Sequence, residues 1–189
     1  SNGLDRMVRP TSGGRNGVAN ATFVHHTNNP RDIYSLSHNQ VYVVHEDRSG
    51  VLWIGTNGGG LNRFDSERNQ FIRFVNEPRN PRSLSYNEIR SIYEDRSGNL
   101  WIGTYGGGIS KVDRGRKQFA HIRPDPDNTN SLGEAIVWCF KEDKNGIFWI
   151  GTQNGLDRFD RKKNRFTHFR NNPANPYSLS GNIVRCVIE

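Results

Sequence analysis

Two cysteines in a chain of 189 residues are too few for a disulfide framework. No run of 18 apolar residues occurs, which excludes a helical membrane span within this stretch. No signal peptide opens it. The triple-glycine runs follow an apolar run but open no helix, so no phosphate-binding loop is expected. His25, His26, His38, His45, His121 and His168 lack metal-ligand spacing, and no nucleophile elbow is visible. No cofactor and no metal is therefore expected. A helical pattern is also missing throughout. Hydrophobic residues make up only 33%, a share that disorder would also give, but the 10 Phe, 6 Tyr and 4 Trp sit at regular positions, which disorder does not require.

That regularity is a repeat. Glu46 to Phe64 reads E-D-R-S-G-V-L-W-I-G-T-N-G-G-G-L-N-R-F and returns as Glu94 to Val112, then as Glu142 to Phe159 with one glycine fewer. Trp53, Trp101 and Trp149 stand 48 residues apart, as do Gly50, Gly98 and Gly146. A fixed period of this size dictates the architecture before any single element is assigned.

Each unit holds four short strand patterns. In the first, Val41–Glu46 is β-branched and apolar, Asp47-Arg48-Ser49-Gly50 is a turn, and Leu52–Thr56 is the second strand of a hairpin. Leu61–Phe64 and Phe71–Phe74 complete the set. The second unit places strands at Ile89–Glu94, Leu100–Thr104, Ile109–Val112 and Phe119–Ile122. The third places them at Val137–Glu142, Phe148–Thr152, Leu156–Phe159 and Phe166–Phe169. Connectors rich in Pro and Asn separate the units, at Asn76–Arg82, Pro124–Asn130 and Asn171–Tyr177.

Four antiparallel strands per unit with a tryptophan in the second describe a propeller blade. The expected fold class is all-β, a β-propeller section of four-stranded antiparallel blades. The expected divisions are a partial blade at 1–34, blades at 35–82, 83–130 and 131–177, and the first strand of a further blade, Ile183–Ile188, within 178–189. Arg9 to Ala21 reads as an inserted mobile surface loop. Ser1-Asn2-Gly3-Leu4-Asp5-Arg6 resembles Gln153–Arg158, so the chain is expected to begin inside a unit and to be a section of a longer one; association of chains to complete a ring is the alternative. Exposed blade faces then predict oligomerisation or poor solubility. Val44, Ile92, Phe140 and Val187 occupy one equivalent position and are expected in the core with the tryptophans. Cys139 and Cys186 share another, with Ser91 and Val43, and are expected to be buried free thiols.

The consensus best shown by Ser35–Asp65 and Ser83–Asp113 resembles the two-component regulator propeller repeat, nearly continuously over 35–189 and more weakly over 3–26. The third copy departs from it, with Gly133-Glu134-Ala135 in place of the S-x-N of the others. The resemblance implies the extracytoplasmic, periplasmic sensor of a hybrid two-component histidine kinase, often in bacteria that scavenge polysaccharides. It implies seven-bladed propellers followed by a β-sandwich, a membrane helix and cytoplasmic kinase parts, none of which lies in these residues. The region itself is then not an enzyme, and its membrane link would run through other parts of the parent protein.

The net charge of +7 permits an acidic partner, but Arg48, Arg63, Arg96, Lys144 and Arg158 are spread over repeat turns, so nucleic acid is not an expected partner. Glu46/Asp47, Glu94/Asp95 and Glu142/Asp143 could do acid–base work, yet a pair in every blade fits a turn-forming role better. Asp143-Lys144-Asn145-Gly146 only faintly resembles a calcium loop.

Positions that vary while their neighbours repeat carry the ligand-binding expectation. They are Tyr42, Arg90, Trp138 and Arg185 at the start of the first strand, and Asn57, Tyr105 and Gln153 after the Thr of W-I-G-T. The first strand of a blade lines the axis, and the adjoining loops emerge on one face. Aromatic and arginine side chains there suit stacking on sugars and binding of carboxylate or sulfate groups, so an oligosaccharide or other small ligand is the expected partner, with the remaining blades of the parent chain or a second copy. The rival readings are solvent exposure of these positions, a propeller lyase or glycosidase, and a protein-interaction scaffold.

Overall fold

The computed structural model describes residues 3–8, 22–113 and 118–188. The expected loop from Arg9 to Ala21 lies outside them. All regular structure among the described residues is strand.

A two-stranded pair, β1 (Leu4–Val8) and β2 (Thr22–His26), precedes three four-stranded sheets. The first sheet runs β3 (Val41–Glu46), β4 (Leu52–Thr56), β5 (Leu61–Asp65) and β6 (Gln70–Phe74). The second runs β7 (Ile89–Glu94), β8 (Leu100–Thr104), β9 (Ile109–Asp113) and β10 (Gln118–Ile122). The third runs β11 (Val137–Glu142), β12 (Phe148–Thr152), β13 (Gly155–Asp160) and β14 (Arg165–Phe169). Strand order in each sheet follows chain order, and every pair is antiparallel. These are the meandering sheets of propeller blades.

The hairpins between first and second strands explain themselves locally. Asp95 receives the Ser97 and Asn99 amides at 2.9 and 2.8 Å, and Gly98 takes the left-handed position at φ 81°. The same turn recurs at Asp47 and Asp143.

The hydrophobic core lies between blades rather than within one. Trp53 and Leu61 of the first blade pack with Leu84, Ile89, Leu100, Ile102 and Phe119 of the second. Trp101 and Ile109 of the second pack with Leu132, Val137, Phe148 and Ile150 of the third. Leu36, Ile54, Phe64 and Phe71 of the first blade form a smaller cluster toward β1. Side chains such as Leu84, Ile89 and Leu100 are fully buried, each worth about 1.5–3 kcal/mol of hydrophobic transfer, so each sheet is held by its neighbour more than by its own strands.

This dependence on neighbours accounts for each departure from the expected core. Ile92 and Phe140 are buried, whereas Val44 is 44% exposed. The β1–β2 pair covers the outer part of the first blade, and no described strand covers Val44 on β3. Trp149 is half-buried for the same reason on the far side of the third blade. Residues 183–188, expected as a strand, adopt no regular structure, and Val187 is half-buried. The Val184 amide does reach the Thr152 carbonyl at 3.0 Å, but no described second strand pairs with the other edge of this segment. Of the two free thiols, Cys139 is half-buried and Cys186 exposed, which corrects the expectation for Cys186. Burial pushes the Cys139 thiol up to about 11, with the nearby Cys186 adding to the rise.

Candidate functional site

The first strands of successive blades lie side by side, with β7 packed between β3 and β11. Each carries an irregularity at the same point. The ladder between first and second strands slips between Val41 and Val43, between Ile89 and Ser91, and between Val137 and Cys139. The extra residues are Tyr42, Arg90 and Trp138, three of the positions singled out by their variability. A bulge inserts one unpaired residue and re-aims its side chain away from the sheet pattern. The bulges therefore release these three side chains from blade packing and present them together.

They form a stack. The Arg90 guanidinium carbon lies 4.1 Å from the ring centre of Tyr42, 4.7 Å from that of Tyr105 and 5.2 Å from that of Trp138. Arg185 continues it, 4.8 Å from the Trp138 ring centre. Tyr105 and Trp138 meet edge to face at 5.8 Å. The sequence of the stack is aromatic, cation, aromatic, cation across three blades and into the segment that follows them. Each cation–π contact contributes about 0.5–2 kcal/mol according to its desolvation.

Polar partners set the rest. The Trp138 indole N–H donates to Gln153 Oε1 at 3.0 Å. Asn57 donates its side-chain amide to Gln40 Oε1. Arg90 is paired with Glu88 through Nη2, and its buried Nε has no acceptor among the described residues. Tyr42 and Tyr105 are each 38% exposed, so the stack is open to solvent along one side. Arg185 is exposed and has no carboxylate partner among the described residues. The site thus offers flat aromatic faces, one neutralised guanidinium and one free guanidinium.

Six of the seven expected residues join directly: Tyr42, Arg90, Trp138, Arg185, Tyr105 and Gln153. Asn57 stands apart, bound to Gln40. Sequence reasoning missed Glu88 and Gln40. They occupy one repeat position that varies as Gln40, Glu88, Ile136 and Ile183, so the criterion that found the others applied to them as well.

The acidic pairs of the repeat serve a different face. Each turn aspartate accepts the indole N–H of the tryptophan six residues on: Asp47 from Trp53 at 2.8 Å, Asp95 from Trp101 at 2.9 Å, and Asp143 from Trp149 at 3.1 Å. Two of the three glutamates reach the preceding blade, where Glu94 accepts the Arg48 amide at 2.8 Å and Glu142 the Arg96 amide at 2.9 Å, whereas Glu46 is exposed. Arg48 and Arg96 in turn donate their side chains to the Arg96 and Lys144 carbonyls. The arginines therefore stitch turn to turn and do more than coat a solvated face. Burial alone would push the Asp47 and Asp95 carboxyls up. Their bonds to the turn and the indole outweigh it, and both are held below the usual carboxylate range. These carboxylates are committed to structure. The Asp143 side chain, in the segment with the faint calcium-loop pattern, is occupied by the Asn145 and Ile147 amides and the Trp149 indole.

Three segments, residues 35–58, 83–106 and 131–154, match the family model described as two component regulator propeller. These three segments are two-component regulator propeller repeats. The three matched segments run from the S-L start of each unit, through the bulged strand and the Asp turn, to the loop that carries Asn57, Tyr105 and Gln153.

Solved structures agree. The extracellular domain of BT4673 from B. thetaiotaomicron, described as that of a one component system, superposes with a TM-score of 0.66 at 26% identity, over 88% of this chain and 22% of that one. Another structure of the BT4673 extracellular domain, described as that of a hybrid two component system, gives 0.63 at 24% identity, over 88% of this chain and 29% of that one. The extracellular domain of BT3049 from the same organism, also described as that of a hybrid two component system, gives 0.53 at 22% identity, over 88% and 33%. At such identities the latter two speak for the fold. This propeller section spans between 22% and 33% of the length of these structures. No curated protein matches the chain.

Proposed function

We propose that these repeats form a ligand-sensing, extracytoplasmic module of a hybrid two-component sensor histidine kinase, non-catalytic in itself, and that its ligand is an oligosaccharide bound on the stack of Tyr42, Arg90, Trp138 and Arg185. The observation that carries the reading is the convergence of the variable positions. Side chains that differ from copy to copy, in a chain that otherwise repeats itself, meet on the strands that line the axis. Solvent exposure alone gives no reason for them to stack on one another. Aromatic faces beside the Arg185 guanidinium, which has no carboxylate partner among the described residues, suit a sugar ring bearing carboxylate or sulfate. The extracellular domain of BT4673 that is 26% identical to this chain supports an extracytoplasmic place, and a periplasmic one is the finer form of the same proposal.

The carboxylate in the stack, Glu88, is engaged by the Arg90 guanidinium. That favours a binding site over a lyase or glycosidase. In a sensor, a ligand acts only through unequal affinity for two arrangements of the protein, here a domain or dimer arrangement relayed through the membrane to a kinase.

Titration with a panel of neutral, carboxylated and sulfated oligosaccharides tests the reading. Arg90→Gln and Trp138→Ala should each weaken binding by about tenfold or more, since each removes one to two stacking or charge contacts of about 1–2 kcal/mol. Affinity unchanged in both removes the site, and conversion of any panel member to product removes the non-catalytic reading.

A further inference from the structure

We propose a second ligand site on the same rim of the propeller, separate from the stack: a cleft of about 670 Å³ between residues 76–81 and 123–126 that takes a sugar unit bearing a carboxylate.

The cleft arises from a local change in the repeat. In three connectors an asparagine braces the chain. The backbone amides of Asn28, Asn76 and Asn171 donate to the side-chain oxygens of Asn39, Asn87 and Asn182 at 2.6, 2.6 and 2.7 Å. Their side-chain amides donate to the Leu36, Leu84 and Leu179 carbonyls at 2.8, 2.7 and 2.5 Å. In the remaining connector both members of this brace are replaced. Pro124 stands where the braced asparagine would be and has no N–H to give, and Ala135 stands where its acceptor would be and has no side-chain oxygen. Both residues line the cleft. The departure of Gly133-Glu134-Ala135 from the repeat consensus thus pairs with Pro124, and together they leave open the space that an Asn side chain fills in the other blades.

What surrounds the space is suited to a ligand. The Tyr86 ring, 44% exposed, lies along the backbone of Gly106 and Gly107. A Cβ at Gly107 would stand 2.7 Å from the Cβ of Tyr86 and 2.8 Å from the Ser85 carbonyl oxygen, so glycine there is what lets the two loops approach so closely. Arg123 is oriented by a relay. His121 donates Nε2–H to the Ser83 carbonyl at 2.7 Å, which leaves Nδ1 as acceptor for the Arg123 guanidinium at 3.1 Å. Across the cleft Glu77 holds Asn80 with one carboxylate oxygen at 2.8 Å. A flat aromatic face, an oriented guanidinium and a carboxylate with acceptor capacity left are the groups that a hydroxyl-rich ring with one acid group would use. The guanidinium matches the acid, the ring face packs on C–H groups, and Glu77 takes hydroxyls. The volume falls within the range of about 300–1,000 Å³ typical of small-molecule sites. No residue of the stack lines the cleft.

Calorimetric titration of the Trp138→Ala chain, in which the stack is broken, with glucuronate and galacturonate, against glucose and galactose, tests this, and the further variants are made in that background. The acids should bind and the neutral sugars should bind at least about tenfold more weakly, a difference of about 1.4 kcal/mol. Tyr86→Ala should lower affinity for the acids by tenfold or more, and Arg123→Gln should erase the preference for acid over neutral sugar. Ala135→Asn restores the residue that the first and second full blades carry, and should close the cleft and abolish binding with the circular dichroism spectrum unchanged. Equal binding of neutral sugars, absence of uronate binding, or uronate affinity retained in both Tyr86→Ala and Ala135→Asn overturns the proposal.

Discussion

Removing the turn aspartate should cost very different amounts in two blades that share the same motif. Asp95 is fully buried and accepts the Ser97 and Asn99 amides, the Asn99 side chain, the Trp101 indole at 2.9 Å and Arg161 at 2.7 Å. In Asp95→Ala the indole N–H of Trp101, whose side chain is 2% exposed, is left buried without an acceptor, at about 1–3 kcal/mol. Arg161 loses a charge-assisted bond worth about 1.5–3 kcal/mol, part of which its contact with Glu142 retains. The expected loss is about 3–5 kcal/mol, a large share of the roughly 5–15 kcal/mol that holds a domain together. Asp143 accepts the equivalent turn amides and indole, but it and Trp149 are half-buried, so water replaces the lost acceptor. Asp143→Ala should cost about 1 kcal/mol. Urea unfolding followed by circular dichroism gives both values from midpoint shifts at constant slope. Costs within about 0.5 kcal/mol of each other would refute the argument that the neighbouring blade makes the bond valuable. The acid limb supplies a second reading. Burial pushes the Asp95 carboxyl up, while its bonds to Trp101 and Asn99 and the charge of Arg161 hold it lower than normal. A depressed carboxylate stabilises the fold above its unfolded value and loses that contribution as pH falls through its folded value, so Asp95→Ala should flatten the acid-induced loss of stability.

Two further outcomes follow from packing between blades and from thiol burial. A Cβ at Gly103 would stand 2.3 Å from Ser91 Oγ and 2.8 Å from a Val137 methyl of the next blade, so Gly103→Ala should cost about 1–3 kcal/mol in the same unfolding assay. Gly181→Ala, which meets nothing within 4 Å, should stay within about 0.5 kcal/mol, and equal effects at the two sites would refute the close approach. Cys186 is exposed, whereas the Cys139 thiol is pushed up to about 11 by burial, so a thiol reagent at about pH 8 should modify Cys186 rapidly and Cys139 far more slowly. A single rate for both would contradict that placement.

The amino-acid sequence by itself determined the blade. The 48-residue period, the Asp turn with its left-handed glycine and the alternation of four short apolar runs are local signals, and each specifies its own strand or hairpin within a few residues. Variation against that constant background also marked Tyr42, Arg90 and Trp138, because a repeat shows which positions its packing leaves unconstrained. Tertiary structure alone decided what lies beside what. Val44 and Ile92 are equivalent in the repeat, yet one is exposed and the other buried, because burial belongs to a pair of blades and not to one. Residues 183–188 carry a strand pattern and form no strand, because a ladder needs a second edge to bond to. The bulges that turn three first-strand side chains into one cation–aromatic stack, and the loss of an Asn brace that opens the cleft beside Tyr86, join residues from different units. No local pattern encodes a distance between units, so these features exist only once the blades are stacked.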